Sequence, residues 1–265
     1  MKLLAFLLGV ALALPAHCQE IVTLQTRPGV TQSFFIANMG SQKAEAAALL
    51  FIGGGGNIGL RMEEGQPKFS AGNFLPRSRA EFIRNGILPV IMDNPSDQQS
   101  GRGMSDEFRA GAAHATDIRA VVAEVKKRFP GLPVFLVGTS RSTISVAHLA
   151  VALSDDVSGA VLTSSLFVAG SPSRPRQELA AFNWRTIKVP LLVVHHDHDA
   201  CWATPYLEAT RVGKQFPLIT VTGGKPAESD PCEPLSAHGF YGREAETVDA
   251  IGAWMLKKPF PKEIR

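Results

Sequence analysis

Short apolar runs punctuate the chain: AALLFI (47–52), ILPVIMD (87–93), PVFLVG (133–138), SGAVLTS (158–164), VPLLVVH (189–195) and PLITVT (217–222). They are rich in Val, Ile and Leu, and Gly, Pro or polar residues bound each one. Runs that are apolar throughout, rather than alternating, are how strands buried on both faces of a parallel sheet read. Between several of them the period changes to about 3.6 residues. HATDIRAVVAEVKKRF (114–129) sets Ile118, Val121, Val122 and Val125 on one helical face, and REAETVDAIGAWMLKK (243–258) does the same with Val248, Ile251 and Trp254–Met255. Ahead of these, residues 21–37 read as two antiparallel strands joined at Arg27-Pro28-Gly29. Two leading strands followed by alternating strand and helix predict an α/β fold: one mixed, mostly parallel sheet of about eight strands with helices on both faces. Segment 166–188, the longest insertion after the mid-chain strands, reads either as a small lid or as a surface excursion rich in Pro and Arg.

Composition adds bounds rather than detail. The 265 residues are 45% hydrophobic and 19% charged, enough for one large core. A net charge of +3, with Lys and Arg scattered, gives no reason to expect nucleic acid or an anionic membrane as partner. The first 18 residues stand apart. A basic start at Lys2, an apolar run from Leu3 to Leu14, a break at Pro15 and small residues after it predict a secretory signal peptide. Cleavage after Cys18 is expected, with Ala16 as the other position. The remaining 19–265 would form the catalytic domain, exported to the periplasm or secreted. Two cysteines would then remain, Cys201 and Cys232, and in an oxidising compartment an isolated pair predicts a disulfide.

The chemistry concentrates in three stretches. VFLVGTSRSTISVAHLA (134–150) runs a buried strand into Gly138-Thr139-Ser140-Arg141-Ser142 and then a helix. That is a nucleophile elbow: a turn tight enough to lift the Ser140 hydroxyl above the sheet, small residues two positions either side, and a helix N-terminus aimed at the site. The competing reading is a helix cap. LLFIGGGGNIGL (49–60) is a strand followed by four glycines. Gly54, Gly56 and Gly59 fit a dinucleotide spacing, but no helix pattern opens directly after them, and no Gly-Lys-Ser/Thr of a P-loop follows. The better reading is a loop whose N–H groups meet a carbonyl oxygen, with the second donor from the Arg141 N–H; each such donor is worth roughly 3 kcal/mol in a transition state. Among the histidines, His114 and His148 lie in helical patterns and read as structural. His238, in PLSAHGFYG (234–242) after the last strand, is placed to lean over the strand ends as a base.

With the elbow, the glycine loop and the order Ser…Asp…His in view, nearly all of the mature chain resembles the α/β-hydrolase superfamily, and in particular exported bacterial serine esterase-like hydrolases. The resemblance implies the α/β-hydrolase fold. It places the acid in the loop after the next-to-last strand, at Asp199 of HHDHDAC (195–201), with Asp197 as fallback. It implies acyl transfer on a small-molecule ester by Ser140, His238 and Asp199, with Gly54, Gly55 and Arg141 N–H groups binding the oxyanion, and no cofactor. A peptidase, amidase or thioesterase would use the same groups, and a non-catalytic protein of this fold is a further alternative. Two positions depart from the superfamily pattern: Gly53 where many lipase-like members have His, and Ser142 where Gly is usual.

The clustered histidines invite a metal reading, which the spacing does not support. A binuclear H-x-H-x-D-H signature starting at His196 meets Ala200 and Cys201, and starting at His195 it meets Asp197. No metal is therefore expected. His195 reads as the last buried strand residue, and His196 and His198 as loop groups around the acid. A Cys201–Cys232 bond would tie the acid's loop to the base's loop, worth about 3.5 kcal/mol by chain entropy. Phe167, Trp202 and Phe240 are candidates for an acyl pocket, although core or rim packing explains each as well.

Overall fold

A computed structural model describes residues 19–168 and 179–265. The signal-peptide expectation for 1–18 and the middle of segment 166–188 therefore lie outside the described residues. The strands are β1 (Glu20–Arg27), β2 (Val30–Ile36), β3 (Ala46–Phe51), β4 (Arg61–Glu63), β5 (Gln66–Lys68), β6 (Ile87–Met92), β7 (Val134–Thr139), β8 (Gly159–Thr163), β9 (Leu191–His196), β10 (Leu218–Val221) and β11 (Glu263–Ile264). The helices are α1 (Phe74–Arg77), α2 (Arg79–Arg84), α3 (Asp106–Ala110), α4 (Ala112–Arg128), α5 (Thr143–Ala152), α6 (Tyr206–Val212) and α7 (Glu244–Met255).

Nine strands form one sheet in the order β1-β2-β6-β3-β7-β8-β9-β10-β11. β1 pairs antiparallel to β2, and β2 antiparallel to β6; the pairings from β6 through β11 are parallel. The six runs picked out by hydrophobicity are β3 and β6 to β10. Five of these, β3 and β6 to β9, are buried along their whole length, because helices cover both faces. Alternate residues feed two cores. In β7, Val134 and Leu136 face α4, α5 and α6, while Phe135 and Val137 face α1, α2 and α7. The α4 positions Ile118, Val121, Val122 and Val125 are all buried, as the spacing predicts.

β3 lies between β6 and β7: the chain passes from β3 to β6 on one side and then crosses back to β7 on the other. The carboxyl end of β3 is thus a switch point where a crevice must open. Two elements escape the hydrophobic reading. β11 has two residues, and its single buried anchor is Ile264. The β4–β5 hairpin is almost wholly exposed and turns at Glu64-Gly65, both with positive φ. At the other end of segment 166–188, Phe182 and Trp184 stack edge-on and pack against the core.

Candidate active site

The elbow closes through its backbone and one hydroxyl. Ser140 takes φ +55°, a left-handed conformation that a non-glycine residue adopts only when its surroundings enforce it. Those surroundings are tight: a Cβ on Gly138 would lie 2.7 Å from Val146 Cγ2 and 2.9 Å from the Ser142 carbonyl oxygen. Ser142 does more than fit. Its Oγ accepts from the Thr139 N–H at 2.9 Å and donates to the Phe51 carbonyl at 2.5 Å, stitching the elbow to the end of β3. Gly53 is explained by the same crowding, since a Cβ there would sit 3.0 Å from Ser140 Cβ and 3.2 Å from the Thr139 oxygen. A histidine at that position would require the elbow to shift by a few tenths of an ångström.

The acid and the base meet. His238 Nδ1–H donates to Asp199 Oδ2 at 2.9 Å, and the Asp199 side chain is fully buried. Asp199 also accepts from the Cys201 N–H at 3.0 Å and from Thr204 Oγ1 at 2.8 Å. Burial works to raise its pKa; the hydrogen bond and charge of His238, then the Cys201 N–H, outweigh that and hold the carboxyl below its usual range. His195 stands behind the acid, Nε2 bonding the Thr204 carbonyl at 2.8 Å and lying 3.6 Å from Asp199 Oδ2. Burial lowers its pKa to about 4, so it is neutral at pH 7. The His238 loop is clamped by Arg77, whose Nη2 donates to the carbonyls of Pro234 and Gly239 and to Glu244. Thr204 and Arg77 were not singled out from sequence, because no motif or periodicity marks them; His195 was read from sequence as a buried strand residue, without its place behind the acid.

His238 Nε2 is buried and has no hydrogen-bond partner among the described residues, and it shares a cavity of about 300 Å³ with Ser140. The Ser140–His238 hydrogen bond is thus not made in this structure; such bonds commonly tighten only in the substrate complex. Gly54, Asn73, Phe74 and Cys232 also line the cavity. Gly55 and Arg141, the other two candidate donors, adjoin it in the chain without lining it. A larger open depression of about 420 Å³, between Lys43, Glu45, Arg84 and Asn85, lies at the opposite, amino end of β3 and β6 and is lined by no serine, cysteine or histidine.

Cys201 and Cys232 are bonded, with Cα atoms 4.6 Å apart, joining the loop of Asp199 to the loop of His238. The aromatic candidates do not form an acyl pocket: Phe167 and Phe240 are core residues and Trp202 is 58% exposed. His196, not His195, ends β9, and it is buried there because it pairs with Val221 of β10. Nitrogen and oxygen atoms of His196, Asp197 and His198 lie within 4.8 Å of one another. They are already engaged: His196 Nδ1 accepts from the His198 N–H, its Nε2 bonds the Gly223 carbonyl, and His198 Nδ1 bonds Asp197. His114 is sealed between Phe51 and Phe108, and His148 stacks on Phe182; both are structural.

A serine on a strained strand–turn–helix, beside an imidazole oriented by a buried carboxylate at the sheet's switch point, defines an α/β hydrolase. The sequence profile of the family "Serine aminopeptidase, S33" matches residues 77–223, more than half of the chain, and the chain belongs to that family. Solved structures share the fold. Est1E from Butyrivibrio proteoclasticus superposes with a TM-score of 0.58 at 14% identity, over 89% of this chain and 98% of that one. The esterase Pf2001 of Pyrococcus furiosus gives 0.57 at 14% identity, over 90% and 91%. XC6422 from Xanthomonas campestris, described as an a/b serine hydrolase without lid, gives 0.55 at 15% identity, over 87% and 93%. Comparison with curated protein sequences returned no match.

Proposed function

We propose that this hydrolase cleaves carboxylic esters of small molecules through an acyl-enzyme on Ser140. The observation that carries the reading is His238, with Nδ1 held by Asp199 at 2.9 Å and Nε2 left unpartnered in the cavity it shares with Ser140. In the mechanism, Ser140 Oγ attacks the ester carbonyl carbon as His238 Nε2 takes its proton. Asp199 stabilises the imidazolium and keeps the ring in one tautomer. The oxyanion is met by N–H groups of Gly54, Gly55 and Arg141. The alcohol departs with the proton from His238. Water, deprotonated by the same nitrogen, then releases the carboxylic acid.

The esterases among the structural neighbours support an ester substrate. The family description favours a second reading, hydrolysis of an amide next to a free amine, which the same groups perform. One panel separates them: p-nitrophenyl acetate and butyrate against aminoacyl p-nitroanilides. Ser140→Ala is expected to lower kcat on the preferred substrate by a factor on the order of 10³ or more with folding intact. Unchanged turnover in Ser140→Ala refutes both readings. Inhibition by a serine-directed phosphonate but not by EDTA is the accompanying expectation. Export is proposed as well, supported by the leader sequence and by a disulfide suited to an oxidising compartment; N-terminal sequencing of the extracellular or periplasmic protein tests it.

A further inference from the structure

Four consecutive glycines, Gly53 to Gly56, make a loop with little intrinsic preference for any orientation of its peptides. The oxyanion-binding role assigned to this loop in the proposed function requires one orientation. Three of the loop's carbonyls, those of Gly53, Gly54 and Gly55, are held by partners. The Gly53 carbonyl accepts from the Gly56 N–H at 3.2 Å. The Gly55 carbonyl accepts from Asn94 Nδ2 and from the Met104 N–H, both at 3.0 Å. The Gly54 carbonyl has one partner among the described residues: Arg109 Nη2, at 3.0 Å.

Arg109 is an expensive choice for that task. It sits in the last turn of α3, 1% exposed, and makes no ion pair with a carboxylate among the described residues. Its Nε has no hydrogen-bond partner among the described residues. Its second contact runs from Nη1 to Ser145 Oγ, at 3.2 Å, on the helix that follows the elbow. Burying a cation carries a heavy desolvation penalty, and apolar replacements of buried charges are often neutral or stabilising. The hydrogen bonds of Arg109 among the described residues go to a carbonyl and a hydroxyl, with the Asp106 charge on the same helix nearby, so burial alone does not explain a cation at this position. The same short helix carries Asp106, which holds Arg141 Nε at 2.5 Å, so α3 reaches the neighbourhoods of both candidate donors.

We propose that Arg109 is a positioning residue that fixes the Gly54–Gly55 peptide in its oxyanion-binding orientation. In a trans peptide the carbonyl and the N–H point in opposite directions. With the Gly54 oxygen drawn inward to the guanidinium, the Gly55 N–H faces outward. Remove the cation and a glycine peptide is free to turn over, which would set a carbonyl oxygen where the oxyanion develops. The bond to Ser145 ties that orientation to α5, so the donor loop and the nucleophile move as one unit.

The inference rests on the proposed function for its catalytic consequence but not for its structural one, and the experiment reads both. Arg109→Met and Arg109→Gln remove the charge; Gln also stops short of the Gly54 oxygen. Either one that folds with a Tm near wild type serves. Crystal structures of the variant should show the Gly54–Gly55 peptide turned over or in several orientations. On the preferred ester, kcat should fall roughly 100-fold, the scale of one lost donor, with KM changed less than about threefold. Arg109→Lys, which restores a cation within reach, should recover part of the loss. A variant whose Gly54 carbonyl keeps its orientation overturns the proposal, whatever the kinetics. A turned peptide with unaltered kcat, in an enzyme that Ser140→Ala inactivates, overturns its catalytic role. If wild type and Ser140→Ala are equally inactive on every substrate, the functional reading fails and the peptide orientation alone decides the positioning claim.

Discussion

Replacing both cysteines by serine, Cys201→Ser with Cys232→Ser, separates two things that the disulfide does. The bond closes a loop spanning 31 positions. Chain-entropy arguments give a loop of that length about 3.5 kcal/mol. For a domain of this size each kcal/mol is worth roughly 2–4 °C, so Tm should fall by roughly 10 °C. The second effect is local. Cys201 supplies the N–H that Asp199 Oδ1 accepts at 3.0 Å, and Cys232 lines the cavity six residues before His238. Without the bond, the two loops are joined directly at the site chiefly through His238 Nδ1 and Asp199. Displacement by about 1 Å in a catalytic group costs up to 100-fold, and partial loosening should cost about tenfold in kcat. The assay is ester hydrolysis well below both melting points, alongside calorimetry of wild type, double variant, and wild type with reductant. A Tm within about 2 °C of wild type and an unchanged kcat would refute the argument. Two free thiols on titration of the unfolded, unreduced mature protein would remove its premise.

Ser142→Ala should cost about 2 kcal/mol in denaturant unfolding, because the Thr139 N–H and Phe51 carbonyl lose a buried partner; Ser142→Gly, although it restores the common superfamily residue, should cost at least as much. Stability should also fall between pH 6.5 and pH 4.5. His195 and His114 are buried with pKa lowered to about 4 and about 3, so across this window the unfolded chain binds protons that the folded chain does not. Each contributes stability that is fully present above the unfolded value near 6.5 and is lost, at up to about 1.4 kcal/mol per pH unit, as pH falls toward the folded value. His114→Leu should remove about half of that slope in denaturation curves at pH 7, 5.5 and 4.5; an unchanged slope refutes the assignment. Asp199, held below its usual range, adds a further loss only below about pH 4, which Asp199→Asn should abolish.

The parts of this molecule that were legible in its sequence are those whose physics is local. A strand buried on both faces must be apolar throughout, so β3 and β6 to β10 announce themselves, whereas β11 consists of Glu263 and Ile264 and has no period to read. The elbow is legible because sterics force small residues around Ser140 within five positions. Asp199 is different. Nothing near it in the chain distinguishes it from Asp197 two residues earlier; the superfamily pattern did, and the distinction becomes physical only when His238, 39 residues away, arrives at 2.9 Å. The groups that hold the acid and the glycine loop in place were illegible for the same reason. Thr204 looks like any threonine, and Arg109 looks like an exposed helix-end arginine; each acquires its role from a contact to another loop. Reading chemistry from a chain therefore finds the atoms that react sooner than the atoms that aim them. In this protein a buried threonine holds the Asp199 carboxylate, a buried cation holds the Gly54 carbonyl, and a disulfide joins the loops of Asp199 and His238.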